Sequence, residues 1–137
     1  MDDFSEGIKY DKAIWLDSEQ CLTDVLKIAL FSRINQNKKA YECFLEDLEE
    51  LSPDFIKKTL CKLKYTDFLR TPYWQMIAAI VKSEKDMVCE NCGKRFNKNM
   101  FLDVHHKDYS IHGEEHLHMN ELVCLCDFCH KNLHQII

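Results

Sequence analysis

The chain lacks what a membrane, repetitive or strongly basic protein needs. No stretch approaches the roughly 20 consecutive apolar residues that cross a bilayer, so a helical membrane span is excluded. Glycine is scarce, with three in 137 residues, and no internal repeat or low-complexity tract is present, which excludes repeat arrays. A basic excess is missing too. The formal net charge is -5, and division after residue 70 leaves 11 basic against 14 acidic residues before it and 7 against 9 after it. Tight, non-specific nucleic-acid binding rests on lysine and arginine neutralising phosphates, so that mode is disfavoured. A bound metal ion can still supply local positive charge. The last absence is histidine, which does not occur in the first 88 residues.

What is there lies at the other end. All seven histidines and five of the eight cysteines fall in the last 49 residues, as Cys89-x2-Cys92, His105-His106, Cys126-x2-Cys129-His130 and His134. Thiolate and imidazole are the ligand types that zinc prefers. The opening Met1-Asp2-Asp3 has the wrong charge for a secretory leader, which leads to the expectation of a soluble protein in the reducing cytoplasm. In that compartment two CxxC pairs read as zinc ligands rather than disulfides. Cys21, Cys43, Cys61 and Cys124 are expected to be buried packing residues, because a lone cysteine behaves as a small hydrophobe.

The N-terminal half reads as helices. Leu22, Val25, Leu26 and Ala29 follow helical spacing behind Asp17 and Ser18, either of which can cap, and Tyr41, Phe44, Leu45 and Leu48 repeat the pattern. Ser52-Pro53 stops that second helix and opens a third carrying Ile56, Leu60 and Leu63. Thr71-Pro72 opens a fourth, with Trp74, Ile77, Ala78 and Val81 on one side, that runs out near Lys85-Asp86. The acidic run from Glu46 to Glu50 is expected to be a solvated helix face. At this length the chain fits one domain, or a small helical domain joined to a metal-stapled one.

Two metal architectures compete for the remainder. Cys89-x2-Cys92-Gly93-Lys94-x-Phe96-x5-Leu102-x2-His105 matches three quarters of a Cys2His2 finger, including its small apolar core. The fourth ligand is missing, since positions 109 to 111 are Tyr109, Ser110 and Ile111, and Cys126, Cys129, His130 and His134 are left without a purpose. The other reading uses everything. Two knuckles present Cys89, Cys92, Cys126 and Cys129 to one structural Zn2+, a site closed by folding rather than by local sequence. The histidines are then released for a second, open site. Leu102 to His106 has the alternation of a strand, so His105 and His106 face apart unless the strand ends between them, while His130 and His134 share a helix face at i, i+4.

The run His105-His106-Lys107-x-Tyr109-x3-Gly113-x-Glu115, followed by Leu122-x2-Leu125-Cys126-x2-Cys129-His130-x3-His134, resembles the HNH endonucleases of the ββα-metal (His-Me finger) fold with paired zinc knuckles. Thr71-Pro72-Tyr73-Trp74 is similar to the lead-in that such proteins carry. The resemblance covers residues 69 to 135 and implies a zinc-stapled nuclease domain over 71–137; with the helical region of unknown role that the periodicity gives over 1–70, which lies outside the resemblance, the expectation is an α+β chain. It implies His105 and His130 as ligands of a catalytic Mg2+ or Mn2+, His134 as a third ligand or phosphate contact, and His106 as general base for the hydrolysis of DNA. An imidazole that titrates near neutral pH and faces away from the metal suits that last role. Where the family carries asparagine or aspartate, this chain has Glu121, with Asn120 before it; in the family that residue braces the loop between the strands. His112, His116 and His118 read as ordinary surface or core residues. Tyr109 and Glu115 read as loop braces, Glu115 with a hydrogen bond that orients a histidine. Lys94, Arg95, Lys107 and Lys131 are either phosphate contacts or solvated charges. Specificity is expected from the N-terminal helices, from a homodimer or from a partner protein. The rival of a different class is a catalytically silent zinc module that binds protein or nucleic acid.

Overall fold

The computed structural model describes residues 12–19, 34–97 and 101–136, with the backbone alone described for 34–40 and 133–136. A 3-10 turn over Lys12–Leu16 precedes helix α1, Ile34–Glu49, whose stripe of Tyr41, Phe44 and Leu48 is buried. The chain then turns at Ser52. Its hydroxyl accepts the Phe55 N–H at 3.0 Å and Pro53 fills the first position of α2, Pro53–Cys61, as the serine-proline pair predicts. Ile56 and Leu60 of α2 are fully buried. A single turn, α3, Tyr65–Phe68, brings Phe68 into the core. The same capping device repeats at Thr71, which accepts the Trp74 N–H at 3.1 Å and donates to the Phe68 carbonyl at 2.7 Å, and starts α4, Pro72–Glu84.

Helix α4 is the centre of the molecule. Of the expected stripe Trp74, Ile77 and Val81 are buried and Ala78 is partly covered, but Tyr73, Met76, Ala79 and Ile80 are buried as well. A helix apolar on most of its circumference needs neighbours on several sides. It has them in α1, the N-terminal 3-10 turn and both strands of the sheet. Each large side chain taken out of water here contributes about 1.5–3 kcal/mol of transfer free energy.

Past Asp86 and Met87, both left-handed with φ of 55° and 61°, the chain forms a tight knuckle bridged between Val88 and Arg95. Strand β1, Leu102–His106, pairs antiparallel with β2, Leu122–Cys126, and β2 runs straight into α5, Asp127–Ile136. The register sets Leu102, Val104 and His106 opposite Cys126, Cys124 and Leu122 on the face turned to α4. Asp103 and His105 lie opposite Leu125 and Val123 on the face turned to α5. Three short 3-10 turns fill the connection between the strands, which the Lys107 N–H closes on the Glu121 carbonyl at 3.0 Å.

The N-terminal helices and the hairpin share one core. Phe44 meets Tyr73 at 6.0 Å between ring centres, Phe68 meets Trp74 at 5.4 Å, and Trp15 packs on Phe44 at 4.9 Å while donating to Asp47 at 3.0 Å. Helix α2 lies against the connection between the strands. Lys57 pairs with Glu114 at 3.5 Å, Cys61 donates to the His112 carbonyl, and a Cβ on Gly113, whose φ is 91°, would press on Cys61 Sγ and Lys57 Cγ at 3.1 Å.

The chain is thus an α+β protein with a two-stranded sheet among the described residues. Among those residues no helix is long and apolar enough to cross a membrane. Glu46, Glu49 and Glu50 are exposed as expected, Glu50 paired with Lys12, whereas Asp47 is occupied by Trp15. Cys124 is buried, but Cys43 and Cys61 are exposed, correcting the expectation for those two; the apolar stripes of α1 and α2 are filled by larger side chains. Cys21 and the helix expected around Leu22, Val25, Leu26 and Ala29 lie outside the described residues.

Candidate functional site

The two knuckles converge. Sγ of Cys89, Cys92, Cys126 and Cys129 all lie within 4.8 Å of one another, with Cys92 and Cys126 at 3.9 Å. Both knuckles are built alike: the Cys92 N–H points to Cys89 Sγ and the Cys129 N–H to Cys126 Sγ, each at 3.5 Å. Gly93, with φ of 78°, makes the first turn, and Asn91 donates to Cys129 Sγ at 3.3 Å. Burial raises the Cys89 thiol, but backbone N–H groups around the turn outweigh it and bring it down to about 6. Although Asn91 favours the Cys129 thiolate, burial and the three neighbouring sulfurs push that thiol up. One thiolate forms readily here, and four need a cation among them. The cluster can therefore hold a metal ion such as zinc, for which four tetrahedral sulfurs are a closed structural set. Cys126 and Cys129, for which a Cys2His2 finger has no use, belong to that set.

The strand histidines separate as the alternation predicts. His105 turns toward α5, where its ring centre is 5.2 Å from that of His130 at an angle of 62°. Asp103, two residues back on the same face, has Oδ2 at 3.4 Å from His130 Nδ1. Asp103, His105 and His130 are all partly exposed. His134 is one turn further along α5, where only the backbone is described. The structure thus sets His105 and His130 side by side with Asp103 next to His130, although these three are not among the described groups whose ligand atoms all lie within 4.8 Å of one another. Sequence reasoning missed this aspartate, although the two-residue step from Asp103 to His105 was there to find it.

His106 turns the other way and is 2% exposed. Trp74 and Tyr109 are each stacked on it, with centres 5.1 Å away and ring planes within 9° and 21°. Its Nε2 lies 2.9 Å from Glu115 Oε2, which also meets His112 Nδ1 at 3.1 Å. The other oxygen, Oε1, accepts from the Gly113 N–H at 3.0 Å and from Tyr73 Oη at 3.1 Å. Tyr73 Oη also lies 3.0 Å from His116 Nδ1 and accepts the His116 N–H at the same distance. Burial pushes the Glu115 carboxyl up. The hydrogen bond with His106, a backbone N–H and the charges of His106 and His112 outweigh that, so it ends below the ordinary carboxylate value. Burial, with Glu115 alongside, drives the Tyr73 phenol well up. His106 Nδ1 is the one buried side-chain nitrogen or oxygen without a hydrogen-bond partner among the described residues.

Glu115 orients a histidine, as the sequence suggests, but it engages two, and His112 is no bystander. His106, His112 and Glu115 place their ligand atoms within 4.8 Å of one another. Four hydrogen bonds already satisfy the carboxylate, so the group serves as an internal polar network. Glu121 braces the hairpin through its backbone carbonyl, while its side chain is half-exposed. Among the basic residues, Lys94 lies over the Phe96 ring at 5.4 Å, Lys107 donates to the Asn120 carbonyl at 3.4 Å, Lys131 pairs with Asp127 at 3.5 Å, and Arg95 is exposed.

Comparison with protein-family models, with curated proteins and with solved structures returned no match for the chain.

Proposed function

We propose that the chain is a divalent-metal-dependent endonuclease of the HNH, ββα-metal type that hydrolyses DNA phosphodiester bonds. The observation that carries this reading is the approach of His105 from β1 to His130 from α5, 5.2 Å between ring centres, on a hairpin whose open end is gathered by four cysteines. The order strand, connection, strand, helix supports it, because it brings one imidazole from a strand and one from a helix to a single open face. Those two side chains are the ligands for Mg2+ or Mn2+, and the i, i+4 spacing of His134 fits a third. Asp103 beside Nδ1 of His130 fixes that ring and leaves Nε2 as its coordinating nitrogen, a pairing common for metal-bound histidines. His105 and His130 would hold such an ion, which would supply charge stabilisation for the phosphorane oxygens and the leaving 3′ oxygen.

His106 is the general base in this reading. Glu115 engages Nε2, so the proton from the attacking water is taken at Nδ1, and the carboxylate then stabilises the resulting imidazolium. The ring edge carrying Nδ1 is buried, so this role requires that edge to be uncovered when substrate binds; catalytic geometry is often incomplete without substrate. The same burial favours a second reading, a zinc module that binds its partner without cleaving, because here no water reaches the base.

Nicking of supercoiled plasmid tests the two. Wild type, His106→Ala and His130→Ala are compared with Mg2+, Mn2+ or chelator after equal zinc content is established for all three. Nicking that needs the metal and falls at least about a hundredfold in both variants is expected, the usual size of a general-base contribution. Absence of cleavage by wild type with either metal, of the plasmid and of single-stranded DNA alike, would refute the nuclease and leave the binding module.

A further inference from the structure

Three rings form a column from the core to the surface. Trp74 and Tyr109 both lie parallel to His106 with centres 5.1 Å away. A five-membered ring has room for one parallel neighbour on each face, so the imidazole is held between them. The inner ring, Trp74, is buried, whereas the outer ring, Tyr109, is 53% exposed. Tyr109 also presents an edge-on contact to His105, 6.1 Å between centres and 86° between planes, which sets it beside the face that carries His130 and Asp103. Tyr65, 44% exposed, stands at 68° to Tyr109 with its centre 6.3 Å away and forms a wall. Burial, with Tyr109 alongside, pushes the Tyr65 phenol up to about 12, so that ring stays neutral at neutral pH.

Two large aromatics in contact with each other and next to a polar, open face are a poor arrangement for solvent alone. The ring column is already ordered by packing, so a further ring laid on it meets a platform that loses little freedom on binding. A nucleobase supplies such a ring, and the phosphate attached to it carries the charge for the adjoining imidazoles and the exposed Lys107.

We infer that Tyr109, walled by Tyr65, is a stacking subsite for an unpaired nucleobase next to the phosphodiester held at His105 and His130, so that the chain takes single-stranded DNA in preference to duplex. This rests on the reading of the His105 and His130 face as a phosphodiester site. In a duplex both faces of every base are covered by neighbours, and only an unpaired or extruded base can offer one to Tyr109. The chain's overall negative charge agrees, since backbone attraction alone would be weak and stacking has to supply part of the affinity.

The test is binding of a short single-stranded DNA carrying 2-aminopurine, against the same sequence as a duplex, with the zinc-loaded full chain in Ca2+ to separate binding from cleavage. Wild type is expected to bind the single strand more tightly and to quench the 2-aminopurine. Tyr109→Ala is expected to weaken single-strand binding by about tenfold or more and to abolish quenching, with duplex binding little changed, since stacking of one base is worth a factor of that order. Tyr109→Leu keeps apolar cover on His106 and guards against a folding defect; it should show the same loss, whereas Tyr109→Phe should retain the wild-type behaviour. Equal binding of single strand and duplex, or a Tyr109→Leu chain that quenches like wild type, overturns the subsite. Plasmid nicking with no role for Tyr109 would leave the nuclease and remove the platform. Quenching by Tyr109 in a chain that never cleaves would do the reverse.

Discussion

Replacing Glu115 with alanine should cost more than any other single polar change among the described residues. The carboxylate is fully buried and holds four groups at 2.9–3.1 Å: the two imidazoles, the Gly113 N–H and the Tyr73 hydroxyl. At roughly 1.5–3 kcal/mol for each bond to a charged group the four would total above about 6 kcal/mol, but bonds to one carboxylate are not independent. Removing one partner of a buried ionic cluster costs about 3–5 kcal/mol, and that is the expected loss for Glu115→Ala. Against a total stability of about 5–15 kcal/mol it brings the chain near unfolding. Glu115→Gln keeps one acceptor and turns an amide NH2 toward donors, so about 2–3 kcal/mol is expected. Urea unfolding with excess zinc, followed by tryptophan emission, measures both, because Trp74 stacks on the imidazole that Glu115 holds. A loss of less than about 1 kcal/mol in the alanine variant, the worth of one neutral hydrogen bond, would refute the network's structural role. The pH dependence gives a second check. The folded carboxyl lies below its ordinary 4.5, so its contribution is complete above that pH and fades as pH falls through the folded value. The stability gap between wild type and Glu115→Gln should narrow on acidification below about 4.5, and a gap that stays constant or widens would contradict the assignment.

Three further outcomes are expected. Cys126→Ser should lose the tightly held zinc in elemental analysis, whereas a Cys2His2 finger closed by His105 would keep it. Gly113→Ala should lower stability in urea by about 1–3 kcal/mol, through the left-handed backbone and the contact with α2; a change within experimental scatter would show that α2 yields freely. Asp103→Asn should weaken Mn2+ binding, followed by electron paramagnetic resonance, by about 10-fold to 100-fold without altering zinc content, and an unchanged affinity would separate Asp103 from the ion site.

Local signals in the sequence translated well into structure. Ser52-Pro53 and Thr71-Pro72 are read as helix starts because a hydroxyl cap and a proline act within three residues, and both helices begin there. The alternation through Leu102 to His106 likewise separated the two histidines correctly, since a strand's period is fixed by its backbone. The grouping of four cysteines followed from ligand chemistry. What escaped depended on neighbours distant in the chain. Helix α4 is buried nearly all round because α1 and the sheet both pack on it; the unbroken apolar run from Met76 to Val81 carries that signal, but not which elements supply the cover. His112 reads as ordinary because a lone histidine usually is a surface or core residue, and only the fold shows one carboxylate serving two rings. The contact of α2 with Gly113 joins residues more than fifty positions apart and left no periodic trace.

The hairpin is fastened at its two ends by unlike chemistry. Where Leu102 faces Cys126, four sulfurs gather the strand ends; where His106 faces Leu122, a buried carboxylate and its donors do so. Chelation removes the first alone and Glu115→Gln weakens the second alone, whereas acid acts on both because it also protonates the thiolates; β1 between them is only five residues long. Chelation should therefore fray β1 from Leu102 forward, whereas Glu115→Gln should fray it from His106 backward. Amide exchange along this one strand would run in opposite orders under the two perturbations, making β1 a ruler for which fastener has let go.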